Sequence, residues 1–500
     1  MLLKKRHAPP KASAMIEALR GLGYSTAASL ADVIDNSISA GATEIRLQFY
    51  WDGLQSRISI IDNGRGMNDA ELEAAMTLGT INPLDERHPT DLGRFGMGLK
   101  TASFSQCRRL TVASRVKNGD LVCLRWDLDA IAESLDSDWY MLEGPAAGSE
   151  LFIEKLSSFE SGTLVLWELM DRVVTLGTDL NHFSDMIDDI ELRLGMIFHR
   201  LIEGARPGFR LFINDKQVAP WDPFMTGNPG KALESPIERK STSSGVVEVQ
   251  CHVLPHRDKL SEEEFLKAGG PEGWTSHQGF YVYRNKRLLL AGNWLGLGKG
   301  RAWHREEPHR LARIRIDIPN TADADWKIDI KKSTARPPVF VRNWLTKLAE
   351  STRDKARKVF AFRGSPTTGI GGEPIEHTWR VEHLKSGVRY RIDVSHPAVS
   401  AVIEACGGHK DLVKAMLRVV EETVPVQRIW LDTAENKDTP RTGFDGEPND
   451  TVVEVATVLF NDLIERKGLS VEDAHQSMLR TEPFQKYPSL IANLRKTLNE

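Results

Sequence analysis

Asp32, Asp35 and Asn36 fall within one short stretch, and a spacing of i and i+4 puts Asp32 and Asn36 on one face of any helix that carries them. A carboxylate at Asp32 can orient and deprotonate an attacking water. The neutral oxygen of Asn36 suits Mg2+, which takes few protein ligands and fills its shell with water and phosphate oxygens. Asp62 heads Asp62-Asn63-Gly64-Arg65-Gly66-Met67. Fixed at a strand end, its carboxylate can accept a hydrogen bond from an exocyclic amine such as that of adenine, while Gly64 and Gly66 let the backbone approach the base. Gly93, Gly96 and Gly98, with Arg94, Phe95 and Met97 between them, form a glycine-rich loop in front of a helix. Backbone N–H groups and the positive helix end make an anion site there, to which Lys100 can add charge. Gly162-Thr163 opens a strand from which Thr163 can hold the Asp62 carboxylate. Gly93 to Thr101 lacks the GxxxxGK[ST] spacing and the preceding strand of a P-loop. The four segments together read as one pocket for ATP with Mg2+.

The elements that must position these residues are legible in the hydrophobic pattern. Ala14 to Ser37 has helical apolar spacing broken at Gly21-Leu22-Gly23, so a second helix starts near Ser25 and carries Asp32 and Asn36 until Gly41 ends it. Glu44–Tyr50 alternates like a strand, and Arg57–Asp62 is a second strand that ends at the carboxylate. Asp69–Leu78 reads as a helix with Asn68 as N-cap. After the loop from Gly79 to Gly98 a helix begins at Leu99, and Leu110–Ala113, Leu121–Trp126 and Gly162–Trp167 supply further strands. The fold class expected is α+β: a mostly antiparallel sheet with helices on one face. A second α+β unit would hold strands Phe209–Ile213, Val246–Val253, Gly279–Tyr283 and Arg313–Ile318. Pro- and Gly-rich 364–374 and acidic 433–450 read as linkers, separated by two strands and two helices between Trp379 and Trp430. Two helices, from about Val452 and Ser470, close the chain. The expected domains are 10–180, 181–345, a helix and linker at 346–376, and a C-terminal region at 377–500.

With 500 residues the chain exceeds what one core supports, and 41% hydrophobic with 27% charged residues is a globular composition. No run approaches the length of a membrane span. The basic N-terminus, Met-Leu-Leu-Lys-Lys-Arg-His, has no apolar signal core, so the cytoplasm is the expected compartment. Cys107, Cys123, Cys251 and Cys406 form no CxxC pair and read as reduced, mostly buried thiols. The net charge of −4 conceals a basic block, because Tyr281 to Arg363 holds 20 Lys and Arg against 8 Asp and Glu. Such a block can attract duplex DNA, and equally it can be a solvated face. Arg284, Lys286 and Arg287 cluster in one turn and are the expected phosphate contacts.

These motifs resemble the GHKL ATPase superfamily, which includes gyrase B subunits, MutL proteins, large heat-shock chaperones, sensor histidine kinases and MORC proteins. Asn36 is similar to its magnesium ligand, Asp62, Gly64 and Gly66 to its adenine-binding DxGxG, Gly93 through Gly98 to its ATP lid, and Gly162-Thr163 to its fourth motif. Ala31–Ala42 and Gly93–Ser103 look closest to MORC and its bacterial relatives. The resemblance implies a Bergerat-type ATP-binding sandwich over roughly residues 10 to 170. The family base is Glu where this chain has Asp32, one methylene shorter, which implies slow turnover. The resemblance also implies a transducer domain whose lysine reaches the γ-phosphate. Asp329-Ile330-Lys331-Lys332-Ser333 looks like that loop, with Lys332 the first choice and Lys331 the second. It further implies an ATP-gated homodimer acting on DNA or on a DNA-associated protein partner, with genome defence an associated role. A clamp on protein clients would present the same pocket. A histidine kinase fits less well, since a lysine-bearing transducer has no role there.

Overall fold

The computed structural model describes residues 10–21, 23–79, 98–133, 139–204, 209–323, 325–329, 332, 334–361, 375–384, 387–429, 448 and 450–495. The chain divides into two compact units, Met1–Gly364 and Ser365–Glu500.

The first unit opens with helices α1 (Ala12–Arg20) and α2 (Thr26–Ser39), strands β1 (Glu44–Tyr50) and β2 (Arg57–Asp62), and helices α3 (Asp69–Met76) and α4 (Gly98–Phe104). Strands β3 (Arg109–Arg115) and β4 (Val122–Asp127), helix α5 (Leu128–Glu133), β5 (Leu142–Glu143), α6 (Glu150–Glu154) and β6 (Gly162–Glu168) follow. Then come α7 (Leu180–Ile197), α8 (His199–Ile202), β7 (Arg210–Ile213) and β8 (Lys216–Gln217). Together the strands form an eight-stranded sheet in the order β5-β4-β3-β6-β2-β1-β7-β8, antiparallel except where β1 runs parallel to β7.

The break between α1 and α2 falls where the glycines predict it, and the Ser25 hydroxyl accepts the Ala28 N–H as N-cap of α2. Asn68 and Glu71 close a capping box at the start of α3. In β2 the alternation decides which layer each side chain serves. Ile58 and Ile60 join the main core with Leu30, Val33 and Ile34 of α2, whereas Ile61 faces a smaller core with Ala113, Leu164 and Leu156. Helices therefore pack mainly, but not wholly, on one face.

The structure corrects the expected place of residues 209–213. Their position along the chain suggests the second sheet, yet β7 pairs with β1 and extends the first one. A short apolar run carries no information about its partner, and α7 is long enough to return the chain to the β1 edge.

A second sheet follows. Strands β9 (Leu233–Glu234), β10 (Glu238–Thr242) and β11 (Gly245–Val253) precede helix α9 (Glu262–Gly269), and β12 (Gly279–Arg284), β13 (Arg287–Asn293) and β14 (Ala312–Ile318) complete it in the order β10-β11-β14-β12-β13, with β9 beside β11. Helix α10 (Val339–Ala361) lays Val341, Leu345, Ala349 and Ala356 on this sheet's core. The two sheets meet where Met196 of α7 and Trp221 pack with Tyr281, Tyr283 and Leu288. There His199 Nε2 lies 2.8 Å from the Tyr283 hydroxyl.

The second unit has an antiparallel pair, Trp379–Leu384 with Gly387–Ile392, and helices Pro397–Ala405, Lys410–Thr423, Asp450–Glu465, Val471–Arg480 and Pro488–Asn493. Phe460, Met478, Phe484 and Ile491 form its core. The expected linkers lie almost wholly outside the described residues. Cys107 and Cys251 are buried, Cys123 and Cys406 partly so, and none forms a disulfide.

Candidate functional site

Helix α2 carries the first group of side chains. Asp32 and Asp35 are buried, while Asn36, one residue on, is exposed and its side chain has no hydrogen-bond partner among the described residues. That is the disposition a cation ligand needs: an accessible neutral oxygen beside fixed carboxylates. Among the described residues no three His, Cys, Asp or Glu side chains are grouped to hold a metal by themselves. A site for Mg2+ here fits only as one protein oxygen supplemented by water and phosphate.

Asp62 ends β2 and is 5% exposed. Its Oδ2 accepts the Ser37 hydroxyl at 2.7 Å, and its Oδ1 accepts the Gly64 N–H at 2.8 Å. Burial raises its pKa, and the donors Ser37, Gly64 and the Thr163 backbone only partly offset that. A carboxylate has about four acceptor positions. With three partners supplied by the protein, Asp62 keeps capacity for one more donor, such as an exocyclic amine.

Gly66 and Gly162 are needed by the close packing around this group. Gly66 has φ +70°, and a Cβ there would lie 1.9 Å from the Arg115 carbonyl oxygen. A Cβ on Gly162 would lie 2.1 Å from the Asp62 carbonyl oxygen. The residue after Gly66, Met67, donates its N–H to Ser114 Oγ at 2.8 Å, and Ser114 in turn lies 2.9 Å from Thr163 Oγ1. Thr163 thus holds Asp62 through its backbone, and its hydroxyl serves the Ser114 relay.

The Lys332 side chain arrives from the second sheet. Trp326 and Ile328 anchor its loop in the second core, Asp329 Oδ1 accepts the Thr334 N–H at 2.8 Å, and Lys332 adopts φ +53°. Lys332 Nζ donates to Asp32 Oδ1 at 2.9 Å and also to Asp35 Oδ2. The residue 300 positions from Asp32 in sequence therefore meets it in space.

Arg287 completes the group. Asn285 and Lys286, both with positive φ, make the two-residue turn of the β12–β13 hairpin, which puts Arg287 at the first position of β13. Its Nε lies 3.1 Å from Asp35 Oδ2, and its guanidinium reaches Asp32 at 3.7 Å. Burial would raise the Asp35 pKa, but Arg287 and Lys332 outweigh it and hold this carboxylate below its ordinary value. Tyr24 is hydrogen-bonded to both Asp32 and Thr101, and burial and the Asp32 charge keep its hydroxyl protonated.

Lys100 is 1% exposed, and its ammonium donates to the carbonyls of Ala75 at 2.8 Å and Thr77 at 3.0 Å, at the C-terminal end of α3, where cations are favoured. The expected DNA contacts need correction. Arg284 and Arg287 are not surface contacts for DNA. Arg284 is 2% exposed and paired with Asp323, and Arg287 is 4% exposed within the site. Of the three cations at that turn only Lys286 is exposed. The turn belongs to a hairpin whose strands are buried, a context to which the flanking apolar runs Tyr281–Tyr283 and Leu288–Leu290 point.

Gly98 starts α4, whereas Gly93, Arg94, Phe95, Gly96, Met97 and Lys331 lie outside the described residues. Ser37, Tyr24, Thr101, Ser114 and Arg287 join the site, although none is among the residues whose type and spacing mark it in the sequence. Ser37 alone has a local signal, since it follows Asn36 on the same helix.

Residues 24–163 match the family described as Histidine kinase-, DNA gyrase B-, and HSP90-like ATPase. The chain is also similar to the DNA mismatch repair protein MutL of Sphingopyxis alaskensis, with 31% identity over 136 residues, covering 26% of this chain and 21% of that protein. A second MutL, from Neisseria meningitidis serogroup B, is 35% identical over 93 residues, covering 17% of this chain and 13% of that protein. The chain spans about a fifth or less of the length of these relatives. Its N-terminal part is a GHKL-type ATPase domain with distant similarity to the N-terminal region of MutL. Among the described residues no helix is long and apolar enough to cross a membrane.

Proposed function

We propose that this chain binds and hydrolyses ATP in the pocket formed by α2 and Asp62, and that Lys332 ties the state of the nucleotide to the second sheet, which acts as a transducer. The observation that carries this reading is the meeting of Lys332 with Asp32, which joins two distant segments suited to complementary roles on a γ-phosphate. Asp62 reads the adenine amine, and Asn36 holds Mg2+, which supplies charge neutralisation at the phosphates. Asp32 orients the water and accepts its proton. Lys332 places positive charge where the transferred phosphoryl group gains negative charge.

Within the superfamily we read the chain as MORC-like, on Ala31–Ala42 and the lid segment. The action proposed is ATP-dependent dimerisation that gates work on DNA or on a DNA-bound protein. The MutL similarity supports a DNA-related role, as do the exposed cations of α10, Arg342, Lys347, Lys355, Arg357 and Lys358. Arg284, Arg287, Arg310, Arg313 and Arg353 of the basic block are buried and drop out of such a surface.

The test is ATP binding and hydrolysis by wild type and by Asp62→Asn. An amide can present a donor to the adenine amine, and a buried mismatch of that kind costs about 1–3 kcal/mol. Wild-type affinity in Asp62→Asn would overturn the pocket assignment.

A further inference from the structure

Four side chains from three elements form a charge-balanced cluster: Asp32 and Asp35 from α2, Arg287 from the β12–β13 hairpin, and Lys332 from the loop before α10. Asp35 is 1% exposed and Arg287 is 4% exposed. We infer that Asp35, braced by Arg287, is a seat that holds Lys332, so that a γ-phosphate must draw the lysine off this seat and thereby releases Asp32 to act on water. The inference rests on the ATPase reading and adds to it two positioning residues and a basis for discriminating ATP from ADP.

The geometry separates the two aspartates. If Lys332 moves to a phosphate, Asp35 keeps Arg287 at 3.1 and 3.3 Å on its two oxygens. Asp32 loses its close cation and retains the Tyr24 hydroxyl, with Arg287 only at 3.7 Å. A carboxylate hydrogen-bonded on both oxygens by a guanidinium is committed to that partner, whereas one held by a single neutral hydroxyl keeps an oxygen open to a water. Asp32 is therefore the base and Asp35 is not, although the two lie one turn apart.

Competition for the lysine also sets the nucleotide preference. ADP has no group that can take Lys332 from the seat. A ligand shifts such an equilibrium only by its differential interaction with the two arrangements. Weakening the seat must favour ATP over ADP. Removing the brace must do the opposite, because Asp35 then has only Lys332 to neutralise it.

The experiment measures the dissociation constants of ADP and of a non-hydrolysable ATP analogue, both with Mg2+, for wild type, Asp35→Asn, Arg287→Met and Arg287→Lys. Asp35→Asn is expected to raise the ratio of analogue affinity to ADP affinity by about tenfold, because the competing seat then gives up one charge-assisted hydrogen bond. Arg287→Met is expected to lower the ratio, and Arg287→Lys, which keeps the charge, to return it toward wild type. A purely structural ion pair would change both affinities together and leave the ratio unmoved, which would overturn the inference. Should Arg287→Met fail to fold, the direction of the change in Asp35→Asn decides. Wild type binding neither nucleotide would overturn the ATPase reading and the seat with it. Wild type binding both, with an unmoved ratio in Asp35→Asn, would overturn the seat alone.

Discussion

A proton acceptor for water needs a fixed position and a charge not committed to another group. Asp32 has the first through Tyr24 and gains the second once Lys332 is drawn away. Asp32→Ala should retain ATP and Mg2+ and lose hydrolysis by about 10²–10⁴-fold, the usual contribution of a general base. Single-turnover hydrolysis alongside equilibrium binding would show it, and normal turnover would move the base elsewhere. Asp32→Glu asks whether the shorter side chain limits the rate. Lys332 lies close enough to meet Asp32 as it stands, and Glu is expected to speed hydrolysis because one more methylene carries the carboxylate further toward the phosphate.

At the scale of elements, one loop depends on backbone geometry and one helix on a buried charge. Gly66→Ala combines a left-handed φ with a Cβ placed 1.9 Å from the Arg115 carbonyl oxygen, so the loop after β2 must leave β3 and the Met67–Ser114 bond must break. A loss of at least about 2 kcal/mol is expected, read as a lowered denaturation midpoint together with lost ATP binding. Lys100 joins α4 to the end of α3, and burial lowers its pKa from 10.5 to about 8. Between those two values the unfolded chain binds more protons than the folded one, so stability attributable to Lys100 rises with pH. Wild type should therefore gain on Lys100→Met by roughly 3 kcal/mol as pH climbs from about 8 to 10.5. Denaturation curves of both proteins at either end of that window would reveal it, and a constant difference would refute it.

For the whole molecule, the distribution of charge matters more than its sum. Several of the arginines in the basic block are internal, and five of its exposed cations lie on α10. Reversing Lys355, Arg357 and Lys358 to Glu should weaken duplex DNA binding equally for unrelated sequences and flatten its salt dependence, by about 0.9 in slope for each phosphate no longer neutralised. Hydrolysis without DNA should stay at its wild-type rate, because none of the three touches the pocket. Particle mass with an ATP analogue tests the dimer in the same preparation. Absence of duplex binding at low salt, with the analogue present, would exclude the DNA reading and favour a protein partner.

The residues of α2, β2 and α3 are legible in the amino-acid sequence alone, because each element is specified locally. Apolar spacing sets α2 and alternation sets β2, and Asn68 with Glu71 closes α3 across three residues of chain. Asp62 is legible for the same reason, standing at a strand end before glycines whose positive φ or tight surroundings admit no side chain. What the sequence could not decide is partnership across long separations. Nothing local tells β7 to pair with β1, Lys100 to turn back onto α3, or Arg287 to leave the surface and meet Asp35 252 residues away. A charged side chain is equally comfortable in water and in a buried ion pair, so composition cannot tell the two apart. Only the packing of the second sheet against α7 and α2 removes water from Arg287 and Lys332, and that packing makes one cluster of four charges that sequence alone presents as a surface turn, a loop and a helix.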